Sequence, residues 1–482
     1  MTIGIICSGN HLDSWQVQWL MKFRETNGVQ MAMVSVDAGH PVSPLAESFS
    51  ENIPTEKLRE FVPPLAPGIN PEFYINFTTS SIKKSGIDTG KILHFDFLLN
   101  SYSTLLYPLQ TGSSVTEINL LRISKDGSIT ICETGVYRTV LHSIEKQVRS
   151  ITEQAGFMLT EYILRTSPLP TKFVSVLANP EINGAVLNKK VFSAFTKHIF
   201  NLMFTSFRWN IGITTLTPEQ LLKQPSSIAV NWMKEEKGRS FNADPFIISD
   251  GDALRIFFEH FPVKSGKGIL CNSSYNKNQF SAYTKTLEKE SHLSYPFIIE
   301  HEQKKYILPE NADSGKVTLY EVDDAFRISD SKVLIDNMDA VDPTIVKWNN
   351  KWWMFCTRKQ HKSSDLRLYI YHADELNGTW NAHQQNPVKC DVRNARPAGT
   401  FFIIDNKLYR PSQDSSKTYG GRIVINHVIE LTTESFTEKY AAAVEPKQLT
   451  GNYKYGVHTI SFINGYMAVD GKKKIAALRR FA

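Results

Sequence analysis

The stretch Ala243-Asp244-Pro245-Phe246 decides how the chain is read, because its pattern returns four more times before the C-terminus. Each copy opens with a polar or charged residue, a proline or small residue and an apolar residue. A short turn follows, then a second run rich in aromatics that ends near a charged residue. The later copies open at Ser294-Tyr295-Pro296-Phe297, Val341-Asp342-Pro343-Thr344, Ala395-Arg396-Pro397-Ala398 and Val457-His458-Thr459-Ile460. Their anchors Asp244, Tyr295, Asp342, Arg396 and His458 lie 51, 47, 54 and 62 residues apart, near the ~40–50-residue period of a four-stranded propeller blade. Five copies predict an all-β, five-bladed propeller over residues 206–482.

The turns in each copy fall at 250–252, 303–305, 349–351, 405–407 and 464–465. The second run of each carries Phe257 and Phe258, Tyr306, Trp352 and Trp353, Tyr409, or Tyr466, which are expected to pack between blades. In an antiparallel pair, the start of one strand and the end of the next share an edge. Asp244 with Glu259, Tyr295 with Glu310, Asp342 with Arg358, Arg396 with Asp414 and His458 with Asp470 are therefore expected around one mouth of a central channel. Turn chemistry accounts for single members, Asp470-Gly471 above all, but a charged or polar side chain from every copy exceeds what folding requires. Pro245, Pro296, Pro343 and Pro397 are expected to hold the residue before each in an extended conformation, aimed into the mouth.

Working outward toward the N-terminus, residues 3–6 read as a buried strand, 13–26 as an amphipathic helix and 31–36 as a second strand, the opening of a doubly wound α/β domain. In that fold the loop at Gly9 is either a ligand site or a plain strand-to-helix turn. Proline-rich residues 41–71 read as a loop excursion or a short helix around 56–61, and 86–90 as a turn. Residues 92–99, 115–123 and 128–132 read as strands, the last two joined at Lys125-Asp126-Gly127, a hairpin signal. A helix over 141–164 closes this domain at residue 165. Residues 166–205 form a linker and an apolar segment that packs against the rest, and 208–213 starts the second domain as a strand.

Composition excludes several classes. With 482 residues, 41% hydrophobic and 21% charged, the chain is an ordinary globular one with room for two or three domains. The net charge of +6 points to no nucleic-acid partner. The one basic run, Lys472-Lys473-Lys474 with Arg479-Arg480, reads as a solvated end or as a contact for nucleic acid or lipid headgroups. Five scattered cysteines, with no C-x-x-C, read as buried thiols rather than a disulfide framework or zinc site. The first residues lack a signal-peptide pattern, and no apolar run reaches the ~20 residues of a membrane span. The cytoplasm is the expected location. No metal-ligand spacing such as H-E-x-x-H and no phosphate-binding glycine loop occurs, so no cofactor is expected, with a divalent ion held by several of the Asp residues left open.

The opening IGIICSGN, the late hairpin and Thr139, His142 and Ser143 at the start of the closing helix resemble a formyltransferase-type domain, the fold of methionyl-tRNA and sugar-nucleotide N-formyltransferases. Those enzymes carry an N-x-H-x-S-x-L-P segment. Here Asn76-Phe77-Thr78-Thr79-Ser80 has no His and no L-P follows, and Asp88 and His94 do not sit at matching spacing, so the resemblance implies the fold without the chemistry. Five blades with Asp-Pro steps in the first and third resemble furanosidase-type propellers: arabinanases, levansucrases and invertases. That resemblance implies a base or nucleophile at Asp244 and a transition-state stabiliser at Asp342. The Glu of a later blade has no counterpart, because Arg396-Pro397 stands at that step.

The set ADPF, HLSYPF, WW-x-F-x-T, L-x-G-x-W-x-x-H-x-x-NPV, ARPAG, LYRPSQD and G-x-HT, over residues 209–471, is similar to the propeller domain found with glucosamine inositolphosphorylceramide transferases, and to bacterial proteins that join such a domain to a formyltransferase-like one. This resemblance implies a carbohydrate-handling propeller. The site then expected has Asp244, Asp342 and Glu310 as catalytic groups. Glu259, His292, Tyr295, Arg358, Arg393, Arg396, Arg410, Asp414 and His458 are expected to bind substrate, the arginines gripping a phosphate or pairing structurally with Asp391 and Asp414. Three readings stay open: a transferase using an activated, phosphate-bearing sugar with an unidentified acceptor, a glycoside hydrolase, and a non-catalytic carbohydrate-binding or scaffold protein.

Overall fold

The computed structural model describes residues 2–8, 12–27, 30–36, 62, 71–78, 89–100, 102–235, 238, 240–359 and 363–476. The Gly9 loop, the 56–61 helix, Asp88 and Arg479-Arg480 lie outside them. The chain clusters into two compact units, Met1–His198 and Ile199–Ala482.

In the first unit, β1 (Thr2–Ser8) lies between β2 (Gln30–Val36) and β3 (Phe73–Asn76), parallel to both, and β3 pairs in parallel with β4 (Ile92–Phe95). A helix, α1 (Ser14–Asn27), connects β1 to β2. The β-branched run of β1 is fully buried at Ile3, Ile5 and Ile6, as a strand covered on both faces must be. The strand expected over 92–99 stops at Phe95: Phe97 N–H donates to Asp96 Oδ1 at 2.7 Å and starts the short helix α2 (Asp96–Leu99). After α3 (Ser103–Thr111), the antiparallel hairpin β5 (Val115–Ile123) and β6 (Ile129–Arg138) follows as expected, with Gly127 at φ +85° in its turn. The helix α4 (Ile144–Leu164) is capped by Ser143, whose Oγ accepts from Lys146 N–H at 3.2 Å. The expected linker holds the short β7 (Lys172–Val174) and a 21-residue helix, α5 (Gly184–Phe204).

The second unit is all β and propeller-like. Its strand β8 (Thr205–Thr215) pairs with β9 (Asn231–Trp232) and is joined in one sheet by β28 (Ile460–Ile463) and β29 (Tyr466–Ala476), so the two ends of the unit share a sheet. Three more self-contained antiparallel sheets are β10 (Phe241–Asp250), β11 (Ala253–Phe261), β12 (Ile269–Asn276), β13 (Gln279–Phe280) and β14 (Thr284–Leu287); β15 (Ser294–His301), β16 (Lys304–Glu310), β17 (Lys316–Val322) and β18 (Ile328–Asp336); and β24 (Phe402–Ile404), β25 (Lys407–Asp414), β26 (Arg422–Leu431) and β27 (Phe436–Val444). The copy around Asp342 differs. There β19 (Ala340–Trp348), β20 (Lys351–Arg358) and β21 (Arg367–Ala373) form a three-stranded group whose outer place is split between β22 (Asn381–Ala382) and β23 (Lys389–Asp391). The expectation of five equivalent blades is thus corrected to four self-contained sheets and one incomplete group, because residues 383–388 interrupt the outer strand between Ala382 and Lys389.

Interleaved cores tie these layers together. Phe257 and Leu270 meet Ile307 and Val322; Phe297 and Leu308 meet Met354 and Tyr369; Phe355 and Ile370 meet Leu408 and Val428; Ile423 and Val444 meet Val457 and Val469; and Ile211 and Ala468 meet Ile256 and Phe258. The repeated aromatics sit in these layers as expected, each large side chain removing on the order of 2–3 kcal/mol of apolar surface from water. Tight turns join the paired strands, with left-handed backbone at Glu302-Gln303, Asn349-Asn350, Asp405-Asn406 and Asn464-Gly465, the conformation a two-residue hairpin turn requires.

The anchors depart from expectation in one respect. Asp244, Tyr295 and Asp342 precede prolines, yet they are left-handed, at φ 54°, 47° and 50°, not extended. Each sits in a register shift, between Ala243 and Phe246, Ser294 and Phe297, and Val341 and Thr344. A bulge inserts an extra residue whose turned backbone re-aims its side chain, and this outweighs the local preference imposed by proline.

Candidate active site

Each bulge leaves an N–H without a ladder partner, and a carboxylate from another strand accepts it. Asp244 N–H donates to Asp470 Oδ2 at 3.3 Å, Tyr295 N–H to Asp244 Oδ2 at 3.2 Å, and Asp342 N–H to Glu310 Oε2 at 3.1 Å. These contacts draw acidic side chains together at converging strand ends. Asp244 Oδ1 also accepts from Thr459 Oγ1 at 2.7 Å and lies 3.5 Å from His458 Nε2. The backbone N–H of His458 donates to Asp470 Oδ1 at 2.9 Å, its ring touches Asp470 Oδ2 through Nδ1, and the ring stacks on Trp209 at 4.0 Å between centroids.

Arg396 holds the other side. Its Nε donates to Asp342 Oδ2 at 2.6 Å, and its terminal nitrogens reach Asp342 Oδ1 at 3.3 Å, Asp365 Oδ1 at 3.2 Å, Ser364 Oγ at 3.2 Å and Tyr419 OH at 3.4 Å. Glu310 lies 3.7 Å away. Gln413 Nε2 adds a further bond to Asp342 Oδ2 at 2.7 Å. Glu259 is buried 3.6 Å from His292 Nε2, and His292 Nδ1 accepts from Gly268 N–H at 2.8 Å.

Acid outnumbers base here, and the protonation equilibria follow. Burial pushes the Asp244 carboxyl up to about 6, with His458 opposing the rise and Asp342 and Asp470 adding to it. Burial first, then the charges of Asp244 and Glu310, raises Glu259 well above the usual carboxylate range. Glu310 is raised by burial and by Asp342 against the pull of Arg396. Burial works against the His458 imidazolium, but Asp470 and Asp244 outweigh it and raise its pKa. Burial lowers that of His292.

Of the residues singled out in the sequence, Asp244, Asp342, Glu310, Glu259, Arg396 and His458 come together, with His292 beside Glu259. Tyr295 is there as scaffold: its buried hydroxyl accepts from Gly399 N–H at 2.6 Å and bonds Thr344 Oγ1 at 2.8 Å. Four expected binding residues are turned to other tasks. Arg358 pairs with Asp339 at 2.7 Å, and Arg393 grips Asp391 at 2.7–3.2 Å. Fully buried Arg410 bonds Glu438 at 2.7 and 2.8 Å and the carbonyls of Asn394 and Ala395. Asp414 accepts from Ser416 N–H and pairs with Arg422 at 2.8 Å.

Two lysines of the basic run are tied down, whereas Lys474 is exposed. Lys472 is buried, lies over the Trp209 ring at 5.1 Å and donates to Tyr419 O, while Lys473 pairs with Glu235. Trp209, Thr459, Asp365, Gln413 and Tyr419 were absent from the sequence reading of the site. Gln413 stands one place from the flagged Asp414, and Trp209 and Tyr419 lie outside the repeated motif. Asp244, His458 and Asp470 each offer a ligand atom within 4.8 Å of the others, a mixed O and N set suited to a divalent cation. Sequence spacing gave no sign of it.

In the first unit, Asn76 Nδ2 meets His94 Nδ1 at 3.0 Å, both buried at the ends of adjacent parallel strands. Burial lowers His94 to about 4, leaving a neutral imidazole.

Among known proteins, residues 225–458 match the family model for glucosamine inositolphosphorylceramide transferase 1, N-terminal. The chain is 31% identical over 206 residues to glucosamine inositolphosphorylceramide transferase 1 of Oryza sativa subsp. japonica, and 30% identical over 206 residues to that of Arabidopsis thaliana. These alignments cover 41% of this chain but only 28% and 27% of the relatives, so the chain spans under a third of their length. Solved structures with a similar course include an alpha-L-arabinofuranosidase from Podospora anserina, with TM-score 0.37 and 10% identity over 48% of this chain and 80% of that one. An exo-beta-1,3-galactanase from Phanerochaete chrysosporium has TM-score 0.35 and 14% identity over 44% and 54%. The family match begins at residue 225 and does not reach the first unit.

Proposed function

We propose that the second unit is the catalytic part of a carbohydrate-active transferase, with its site at the carboxylate cluster. The observation that carries this reading is the gathering of buried Asp244, Glu259 and Asp342 with nearly buried Glu310 within electrostatic reach of one another, Arg396 bound to Asp342 and 3.7 Å from Glu310. Glycosyl transfer needs a carboxylate that attacks or stabilises the anomeric carbon and a protonated group that gives its proton to the leaving oxygen. Asp244 and Asp342 fit the first role. Glu259 fits the second better than Glu310: it is held protonated by burial, whereas Glu310 already accepts a backbone N–H and lies near Arg396. The match to plant transferases supports transfer over hydrolysis.

The surplus of acid favours a neutral or amino-bearing sugar at this mouth. A phosphate-bearing donor would be repelled unless a cation sits between Asp244, His458 and Asp470. Glycoside hydrolysis is a second reading, favoured by the same pairing of an ionisable aspartate with a protonated glutamate. For the first unit we propose a formyltransferase-like domain that positions the acceptor; tight folate binding in a titration would argue that formyl transfer survives.

The test uses the full chain, a panel of activated sugars with and without acceptor alcohols, and a panel of aryl glycosides. Asp244→Asn and Asp342→Asn are each expected to lower turnover by about 100-fold or more, with product appearing only when acceptor is present. Free sugar from glycosides would establish the hydrolase, and turnover undiminished in both variants would end the catalytic reading.

A further inference from the structure

A partly open cleft of about 240 Å³ lies in the second unit, and among the residues lining it are Arg208, Trp209 and Asn210 of β8, Glu235, and Phe241 and Asn242 of β10. Two of them lead back to the carboxylate cluster. Trp209 stacks on His458, whose Nε2 lies 3.5 Å from Asp244 Oδ1. Phe241 stacks on Phe261 at 4.9 Å between centroids, Phe261 meets the His292 ring edge-on at 6.0 Å, and His292 lies 3.6 Å from Glu259. Asn242 stands two residues before Asp244 on the same strand, no more than about 7 Å away along the backbone. A sugar ring lying in the cleft would therefore adjoin one held at the carboxylates.

The polar groups of the lining identify what fits there. Arg208 and Asn210 alternate on one face of β8. Buried Asn210 uses both Nδ2 hydrogens, on Met233 O at 2.7 Å and Tyr453 OH at 2.9 Å, and among the described residues nothing donates to its Oδ1. Arg208 Nη2 donates to Gly238 O at 2.6 Å and Nη1 lies 3.6 Å from Glu235 Oε2, which leaves N–H groups of the same five-donor fork for a ligand. The charges of Arg208 and Glu235 cancel, so the lining favours neither a phosphate nor a free cation. A ring bearing several hydroxyls suits it, because each hydroxyl both donates and accepts and the apolar face of the ring can rest on an aromatic one.

We propose that this cleft binds one ring of a hydroxyl-bearing acceptor, beside the sugar that reacts at the carboxylates; its role as acceptor rests on the function proposed above, whereas its binding does not. The experiment is saturation-transfer NMR of the full chain with methyl glycosides of hexoses, with cyclohexanol and inorganic phosphate as controls. The glycosides are expected to bind with Kd on the order of 1–10 mM, and cyclohexanol at least about tenfold more weakly. Ser240→Phe, which adds a ring to the lining, and Arg208→Gln are each expected to weaken glycoside binding about tenfold or more. Circular dichroism of each variant checks that the fold is kept. In a transfer assay both changes should raise the acceptor KM by similar factors and leave kcat, and the KM for the activated sugar, within about twofold. Glycoside binding that both variants weaken, in a protein that turns over no activated sugar, would sink the proposed reaction and uphold the cleft. Four results would overturn the cleft itself: no saturation transfer from any methyl glycoside at about 100 mM, binding undiminished in either variant, cyclohexanol binding as tightly as the glycosides, or displacement of the glycoside by inorganic phosphate, which would assign the cleft to an anion.

Discussion

Arg396 and Arg410 are both buried arginines in the same all-β unit, yet their surroundings differ in kind. Arg410 faces Glu438, which Lys389 also contacts, and two carbonyls complete its shell. Burial alone would raise the Glu438 carboxyl, but Arg410 and Lys389 hold it down at about 2. Around Arg396 the count runs the other way: Asp342, Asp365 and Glu310 share one guanidinium, and Glu310 and Glu259 are driven upward instead. Charge that is balanced in the interior stabilises a fold. Charge left in surplus costs stability, and a protein keeps such a cost where it needs reactive acids.

The largest effect should come from upsetting the balanced region. Arg410→Met leaves Glu438 buried with Lys389 alone, and losing one partner of a buried pair costs about 3–5 kcal/mol. A fall in Tm on the order of 10 °C is expected, with little change in turnover per folded molecule. Because Glu438 is depressed in the fold, its stabilising contribution is present above its unfolded value near 4.5 and disappears as pH falls through about 2. A variant that keeps its Tm but loses turnover would move Arg410 into the site and erase the contrast.

A smaller and opposite effect is expected in the region of surplus. Glu259 is raised on folding, so its contribution is fully present below about 4.5 and is lost as pH rises through the folded value. Glu259→Gln removes that loss. Its Tm should exceed that of the wild type by about 2–4 °C at pH 8, equivalent to ~1 kcal/mol, and the gain should vanish near pH 4.5. Turnover should fall about 100-fold or more. Equal melting curves across this pH range would mean that Glu259 is solvated rather than held protonated.

The same contrast shows why the sequence located some members of the carboxylate cluster and misplaced others. Repeat spacing and the Asp-Pro steps located Asp244 and Asp342, and strand pairing located Glu259 and Glu310, which stand opposite Ala243 and Ser294, the residues just before the anchors. In the third copy that place belongs to Thr357, opposite Val341, and Arg358 falls one residue further on, opposite Ala340. A slip of one residue along a strand sends the side chain to the other face, so Arg358 meets Asp339 instead of the carboxylate cluster. The fourth copy slips likewise: Gln413 bonds Asp342 while Asp414 turns to Arg422. Bulges set these registers, and proline chemistry alone predicts extended backbone where the fold uses left-handed turns.

The smallest effect should separate the arginines paired elsewhere from the carboxylate cluster. Arg393 is half exposed and bound to Asp391 two residues away, an arrangement in which solvent screens the pair and the net gain is about 0–1 kcal/mol. Arg393→Ala should therefore shift Tm by less than about 2–4 °C and leave turnover and apparent substrate affinity unchanged. Arg396→Ala, placed beside it, removes the one cation that Asp342, Asp365 and Glu310 share, so it should lose turnover even where the protein still folds. If Arg393→Ala instead raises KM with kcat unchanged, the substrate reaches out to Asp391, and the mouth extends beyond the carboxylate cluster along the edge of β23.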